Sequence, residues 1–240
     1  MRIITVFNQK GGTGKTTVAI HLARALGPQT LFIDLDPQAT ATHLVGLGGA
    51  TEGISDALEG TARLSDITLS SPWGFTVAPA TVELALFERE RLERQESRLS
   101  ALLDQAAFPR YEHIVIDCPP GVGYLAQNAL VASDRAVIVT EPNFPSMLGL
   151  VEAIDSIFAI RERYNARLGF AGVALNKVLP TSEARYRLGE LTEQLGANKI
   201  LCRIPQRAAI AEAAGELRPC THPALTGQIN ELKERLTNGC

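Results

Sequence analysis

A doubly wound α/β fold, with a mainly parallel sheet flanked by helices, is predicted by three features of this 240-residue chain. Apolar strand-like segments alternate with helical stretches of about ten to fifteen residues from end to end, as crossover connections between parallel strands require. Runs such as Ile114-Val115-Ile116 and Ala136-Val137-Ile138-Val139 are continuously apolar, as strands buried on both faces are. A glycine-rich loop, Lys10-Gly11-Gly12-Thr13-Gly14-Lys15-Thr16-Thr17, lies between the first apolar strand and the first helical stretch.

In chain order, strands are expected at residues 3–7, 30–33, 75–78, 113–116, 136–140, 170–175 and 199–202, each apolar and short. Helices are expected at 16–26, 54–58, 82–106, 124–132, 145–164, 182–195, 207–214 and 224–236. The long helix at 82–106 carries Glu88-Arg89-Glu90-Arg91-Leu92-Glu93-Arg94, whose alternating charges suit a solvated face laced with i,i+4 ion pairs. Cys118-Pro119-Pro120-Gly121 turns the chain away from the sheet after the strand at 113–116. With no repeat or low-complexity linker, residues 1–240 are expected to form one domain, long enough to bury a full central sheet.

Bulk properties exclude several classes. A net charge of −3 gives no global pull toward nucleic acid, so such binding needs a local patch. Cys118, Cys202, Cys220 and Cys240 are scattered without a C-x-x-C pair, which argues against structural zinc and a disulfide framework. No apolar run approaches a membrane span, and the N-terminus enters a strand directly, so a reducing cytoplasm is the expected setting.

The glycine loop carries the chemistry. Glycines let successive N–H groups turn toward phosphate oxygens, and the following helix N-terminus adds partial positive charge. Lys15 is placed for the β/γ-phosphates and the Thr16 hydroxyl for Mg²⁺. The usual first glycine of a P-loop is absent, and Gln9-Lys10 stands there instead. Two acidic elements complete the site. Asp117 ends the apolar strand Ile114-Val115-Ile116 and is placed to hold Mg²⁺, directly or through a bound water. Asp34 and Asp36, at a strand's period of two, are expected to face the same way, one orienting the attacking water and the other supporting the metal shell.

Gln9-Lys10-Gly11-Gly12-Thr13-Gly14-Lys15-Thr16-Thr17, Asp34-Leu35-Asp36-Pro37-Gln38 and Asp117-Cys118-Pro119-Pro120 resemble, in order and spacing, the deviant Walker A, switch and Walker B motifs of the ParA/MinD group. The Asp-Pro-Gln element makes the chain look like a small ParA-type partitioning ATPase. Ala78-Pro79-Ala80, Asn176-Lys177 and Ile204-Pro205-Gln206 with Glu212-Ala213 resemble further family segments, Asn176 and Pro205 falling on the nucleotide side. Two departures stand out: Gln206 where arginine is usual, and Thr140-Glu141-Pro142-Asn143 in place of a glutamine-rich segment.

The resemblance implies a slow, partner-stimulated ATPase using ATP and Mg²⁺, in which Gly11, Gly12, Thr13, Gly14, Thr16 and Thr17 hold the nucleotide with Lys15. It implies an ATP-bound homodimer in which Lys10 reaches the partner's phosphates, with Asp36 positioning water and Asp34 standing behind the metal. It implies non-specific DNA binding, a ParB-like or other adaptor, and a cytoplasmic, nucleoid-associated location. Arg185, Arg187, Lys199, Arg203 and Arg207 are the candidate DNA contacts. A MinD-like membrane ATPase is the alternative, but Ile229, Leu232 and Leu236 form a stripe suited to packing on the sheet, and no membrane partner is expected. An iron-protein-like reductase is a weaker alternative, because Cys118 has no convincing second cysteine and suits a buried, inert thiol.

Overall fold

The computed structural model describes residues 1–89, 92–105 and 111–238. Its elements run β1 (Arg2–Phe7), α1 (Lys15–Leu26), β2 (Thr30–Asp34), α2 (Thr40–Leu44), α3 (Ile54–Glu59), α4 (Leu64–Ile67), β3 (Leu69–Ser70), β4 (Thr76–Ala78) and α5 (Leu84–Phe87). After these come α6 (Arg98–Leu103), β5 (His113–Asp117), α7 (Tyr124–Ala132), β6 (Arg135–Thr140), α8 (Phe144–Arg163) and β7 (Gly169–Val178). The chain continues through α9 (Ser182–Leu195), β8 (Ile200–Pro205), α10 (Ala208–Gly215) and α11 (Pro223–Asn238).

Among the described residues, eight strands form one sheet in the order β3-β4-β2-β5-β1-β6-β7-β8, parallel except for β3 against β4. All seven expected strands are present. The added β3 is a two-residue antiparallel edge, too short to leave a periodic pattern. Pro205 is tolerated at the end of β8 because that strand lies at the sheet edge. β1 is central, with β5 on one side and β6 on the other. The order of connection reverses there, which is where an open α/β sheet gathers its ligands.

Period-two alternation sorts each strand between two cores. Ile3 and Phe7, Leu31 and Ile33, and Ile114 and Ile116 pack with helices α3 to α9. Ile4 and Val6, Phe32, and Val115 pack on the other face with α1, α2, α10 and α11. Asp34 and Asp117 share the second parity, so both belong to the face that α1 covers. Ile229, Leu232 and Leu236 of α11 are buried in that second core, as their stripe predicts.

The helix expected at 82–106 is a correction. It is broken into α5, a 3₁₀ turn at Gln95–Ser97 and α6, with Arg94 at a φ of 50° between them; Glu90, Arg91 and Ala106 lie outside the described residues. Tertiary contacts outweigh local propensity here. Gln95 is buried, its side chain donating to the Phe87 carbonyl while its own carbonyl accepts from Asn128 of α7. Glu88, expected on a solvated face, accepts from the Tyr124 and Leu125 N–H groups at 3.2 and 2.7 Å and so caps α7.

Candidate nucleotide-binding site

The loop after β1 is pinned at its entry by buried Asn8, whose side chain donates to the Val139 carbonyl at 2.7 Å and accepts from the Lys10 N–H at 2.9 Å. Gly12 and Gly14 take left-handed φ values of 76° and 92°. At Gly14 there is a second constraint: a Cβ would collide with the Asn176 amide, which donates to the Thr13 carbonyl at 2.8 Å. Gly14 is also the N-cap of α1, and no side chain caps that helix. Its first-turn N–H groups are therefore open to an anion. Lys15 is buried beneath the loop, with its Nζ 3.4 Å from the Lys10 carbonyl. Lys10 itself is exposed and donates to Ser146 Oγ at 3.1 Å.

Asp117 is fully buried, and neither of its carboxylate oxygens has a hydrogen-bond partner. Burial, with Asp34 nearby, pushes its carboxyl well above the usual range, while the Thr16 hydroxyl and the Lys15 charge pull it back in part. A buried acid with no close hydrogen bond, the Thr16 hydroxyl at the start of α1 being its polar neighbour, is a hard-oxygen donor set that fits Mg²⁺. Asp34 differs, because both its oxygens accept hydrogen bonds from within the protein. Its Oδ1 accepts from the Asp36 N–H at 3.1 Å, and its Oδ2 from the Thr42 N–H and hydroxyl at 2.9 and 2.7 Å. Asp36 lies beyond Asp34, where β2 ends, yet its charge still acts on both Asp34 and Asp117. Asp36 lies in the turn that follows, where its Oδ1 accepts from the Gln38 N–H at 2.9 Å.

These carboxyls give the nucleotide-free protein a pH signature. Burial raises Asp34 from 3.8 to about 6, against the opposing pull of Thr42. Between those values the folded chain binds more protons than the unfolded one, so the contribution is full below the lower value and is lost as pH rises through the upper. For Asp34 this amounts to roughly 3 kcal/mol, at about 1.4 kcal/mol per unit. Unfolding of wild type and Asp34→Asn is expected to show a difference that shifts against wild type between pH 4 and about 6. A pH-independent difference would place the titration elsewhere.

A cleft of about 370 Å³ opens beside the loop, lined by Gly14, Thr17, Asn176, Lys177, Pro205 and Gln206 among others. It gathers Asn176 and Pro205 next to the phosphate loop, a place suited to a base and sugar. The five basic candidates are not equivalent. Arg185, Arg203 and Arg207 are exposed. Arg187 is paired with Glu190 at 2.7 Å and lies over the Phe144 and Tyr186 rings. Lys199 donates to the Phe170 carbonyl at 2.8 Å. Cys118 is buried with its thiol pushed well up by burial, in keeping with an inert role.

Two contacts at the loop have no counterpart in the motif pattern. Lys177 reaches the Gly12 carbonyl, and Glu141 pairs with Lys177. The only sequence signal for either was the unusual Thr140-Glu141-Pro142-Asn143 segment and the Asn176-Lys177 dipeptide.

Comparisons agree with this geometry. Residues 1–170 match the model of a family described as AAA domain. The chain is 33% identical to the sporulation initiation inhibitor protein Soj of Bacillus subtilis, over 91% of this chain and 89% of Soj. It is 34% identical to the chromosome partitioning protein ParA of Caulobacter vibrioides, over 73% of this chain and 69% of that protein. A crystal structure titled cobyrinic acid a,c-diamide synthase from Mycobacterium smegmatis, with bound ADP and magnesium, superposes with a TM-score of 0.78 at 25% identity, covering 90% of this chain and 91% of that one. With its phosphate loop, its paired lysines and these relatives along most of its length, the chain belongs to the AAA domain family of P-loop ATPases, among the ParA and Soj proteins of the ParA/MinD group.

Proposed function

We propose that this chain is an ATP-driven dimerising switch that holds DNA without sequence preference and positions a cargo through an adaptor protein. The observation that carries the reading is the division of labour between two lysines. Lys15 is buried under the loop, whereas Lys10 stands exposed at its mouth. A buried ammonium serves the phosphates of its own subunit. An exposed one is free to serve those of a second copy, as a cation delivered in trans to a transferring phosphoryl group. Dimerisation also has apolar surface to cover: Val82, Leu86, Val122, Tyr124, Phe144 and Leu148 are exposed in segments that follow the C-terminal ends of β4, β5 and β6.

Gly11, Gly12, Thr13, Gly14, Lys15, Thr16 and Thr17 cradle the phosphates of ATP, and Asn176 and Pro205 flank the base cleft. Thr16 and Asp117 hold Mg²⁺, which when bound neutralises phosphate charge. Asp34 keeps the β2 terminus in place behind them, and Asp36 orients the attacking water. Hydrolysis is slow until the adaptor binds, and the dimer then releases DNA. The cargo is a chromosome, a plasmid or a large protein assembly, and the setting is the cytoplasm, at the nucleoid. No helix among the described residues is long and apolar enough to cross a membrane.

The test is a gel shift of unrelated duplexes with and without a non-hydrolysable ATP analogue, across a salt series. Binding is expected only with the analogue and falls steeply with salt. Arg203→Ala with Arg207→Ala removes four cations per dimer and is expected to flatten the log–log slope by about 3–4. Arg187 and Lys199, already engaged within the protein, are expected to contribute less. No shift at low salt, together with ATP-dependent binding to anionic lipid vesicles, would replace the DNA reading with the membrane one.

A further inference from the structure

We infer that Lys177, held by Glu141, is a positioning residue of the phosphate loop, fixing the Gly12–Thr13 peptide with its N–H turned toward the phosphate. The inference rests on the nucleotide-binding reading above and adds to it a pair outside the glycine motif.

Lys177 Nζ donates to the Gly12 carbonyl at 2.6 Å and to Glu141 Oε1 at 2.8 Å. Its neighbour Asn176 donates to the Thr13 carbonyl at 2.8 Å. In a planar trans peptide the C=O and the following N–H point in opposite directions. A carbonyl drawn toward residues 176 and 177 therefore turns the next N–H away from them. Two consecutive residues of β7 thus set two consecutive peptides of the loop, those bearing the N–H groups of Thr13 and Gly14. The Gly12 peptide has little else to hold it: its residue is exposed, at a φ of 76°, and a Cβ there would meet nothing within 4 Å.

Lys177 reaches the loop because of its backbone. It has a φ of 52° and lies in the register shift between Leu175 and Val178, where β7 loses step with β8. Glu141 is anchored in turn. Its Oε2 accepts from Asn143 Nδ2 at 3.0 Å, and Asn143 Oδ1 accepts from the Ser146 N–H at 3.1 Å, capping α8. Ser146 Oγ accepts from Lys10 at 3.1 Å. The middle of the loop and its outer lysine are thereby tied to one helix terminus. An ion pair this exposed adds little to stability, so its effect is read in nucleotide affinity.

Calorimetric titration with ADP and Mg²⁺, alongside ATP turnover, tests the assignment. Lys177→Met is expected to weaken ADP binding about tenfold, the scale of one charge-assisted hydrogen bond, with kcat at saturating ATP little changed. Lys177→Arg restores most of the affinity. Glu141→Gln, a surface change that spares the fold, weakens ADP binding a few-fold because Lys177 loses its anchor. Were Lys177 instead to touch the phosphates directly, removing the Glu141 charge would tighten binding. Tighter ADP binding by Glu141→Gln, or wild-type affinity in Lys177→Met, overturns the inference. Wild-type protein that binds neither ADP nor ATP overturns the nucleotide reading itself, a distinct result.

Discussion

Lys15→Ala is expected to weaken ATP binding by about thirtyfold or more, since truncating one partner of a buried charge contact costs roughly 2–5 kcal/mol. Lys15 is buried under the loop and contacts the Lys10 carbonyl. It also lowers the cost of charge on Asp117. On the proposed reading the substitution acts twice: it removes the ammonium assigned to the β/γ-phosphates, and it leaves Asp117 more strongly biased toward its neutral form, which would hold a divalent cation poorly. Lys10, exposed at the outer edge of the loop, does not replace a cation buried beneath it. Calorimetry with ATP and Mg²⁺ is the measurement, and near-wild-type affinity would remove the P-loop assignment.

How much of this was legible in the sequence follows from the range of the interactions involved. The loop's shape was legible because its parts are contiguous: residues 11–17 run from the loop after β1 into the N-terminus of α1, with Gly12 and Gly14 at positive φ. Asp117 was legible because an apolar strand ending in an acid fixes both its depth and its face. For Asp36 strand parity is no guide, because alternation stops where β2 stops, at Asp34, and the turn that follows sets its place. The long helix failed because what breaks it is not local. Gln95 is buried against Phe87 and Asn128, the latter 33 residues away in sequence, and no helical periodicity records such a partner. Lys177 and Glu141 were missed for the same reason. Their meeting depends on β6 and β7 being sheet neighbours and on a register shift beside β8. Of the basic cluster, composition supplied five cations, but only side-chain contacts separate exposed Arg185, Arg203 and Arg207 from the engaged pair.

Lys10→Ala separates binding from assembly. ATP affinity of the isolated subunit is expected to stay within about threefold of wild type, because an exposed side chain hydrogen-bonded to a neutral hydroxyl contributes on the order of 1 kcal/mol or less. ATP-dependent dimerisation and hydrolysis are expected to be lost, the latter by about 10³-fold, the lower end for a cation supplied in trans to a phosphoryl group. The geometry explains why the two effects separate. Lys10 follows the Asn8 anchor, which holds the loop entry whether or not the lysine is present. Its ammonium rests on Ser146, in the first turn of α8, a contact weak enough to be exchanged for a partner's phosphates. Sedimentation or light scattering with a non-hydrolysable analogue, read beside turnover, decides it. If the variant dimerises and hydrolyses normally, Lys10 acts only within its own subunit, and the division of labour between the two lysines fails.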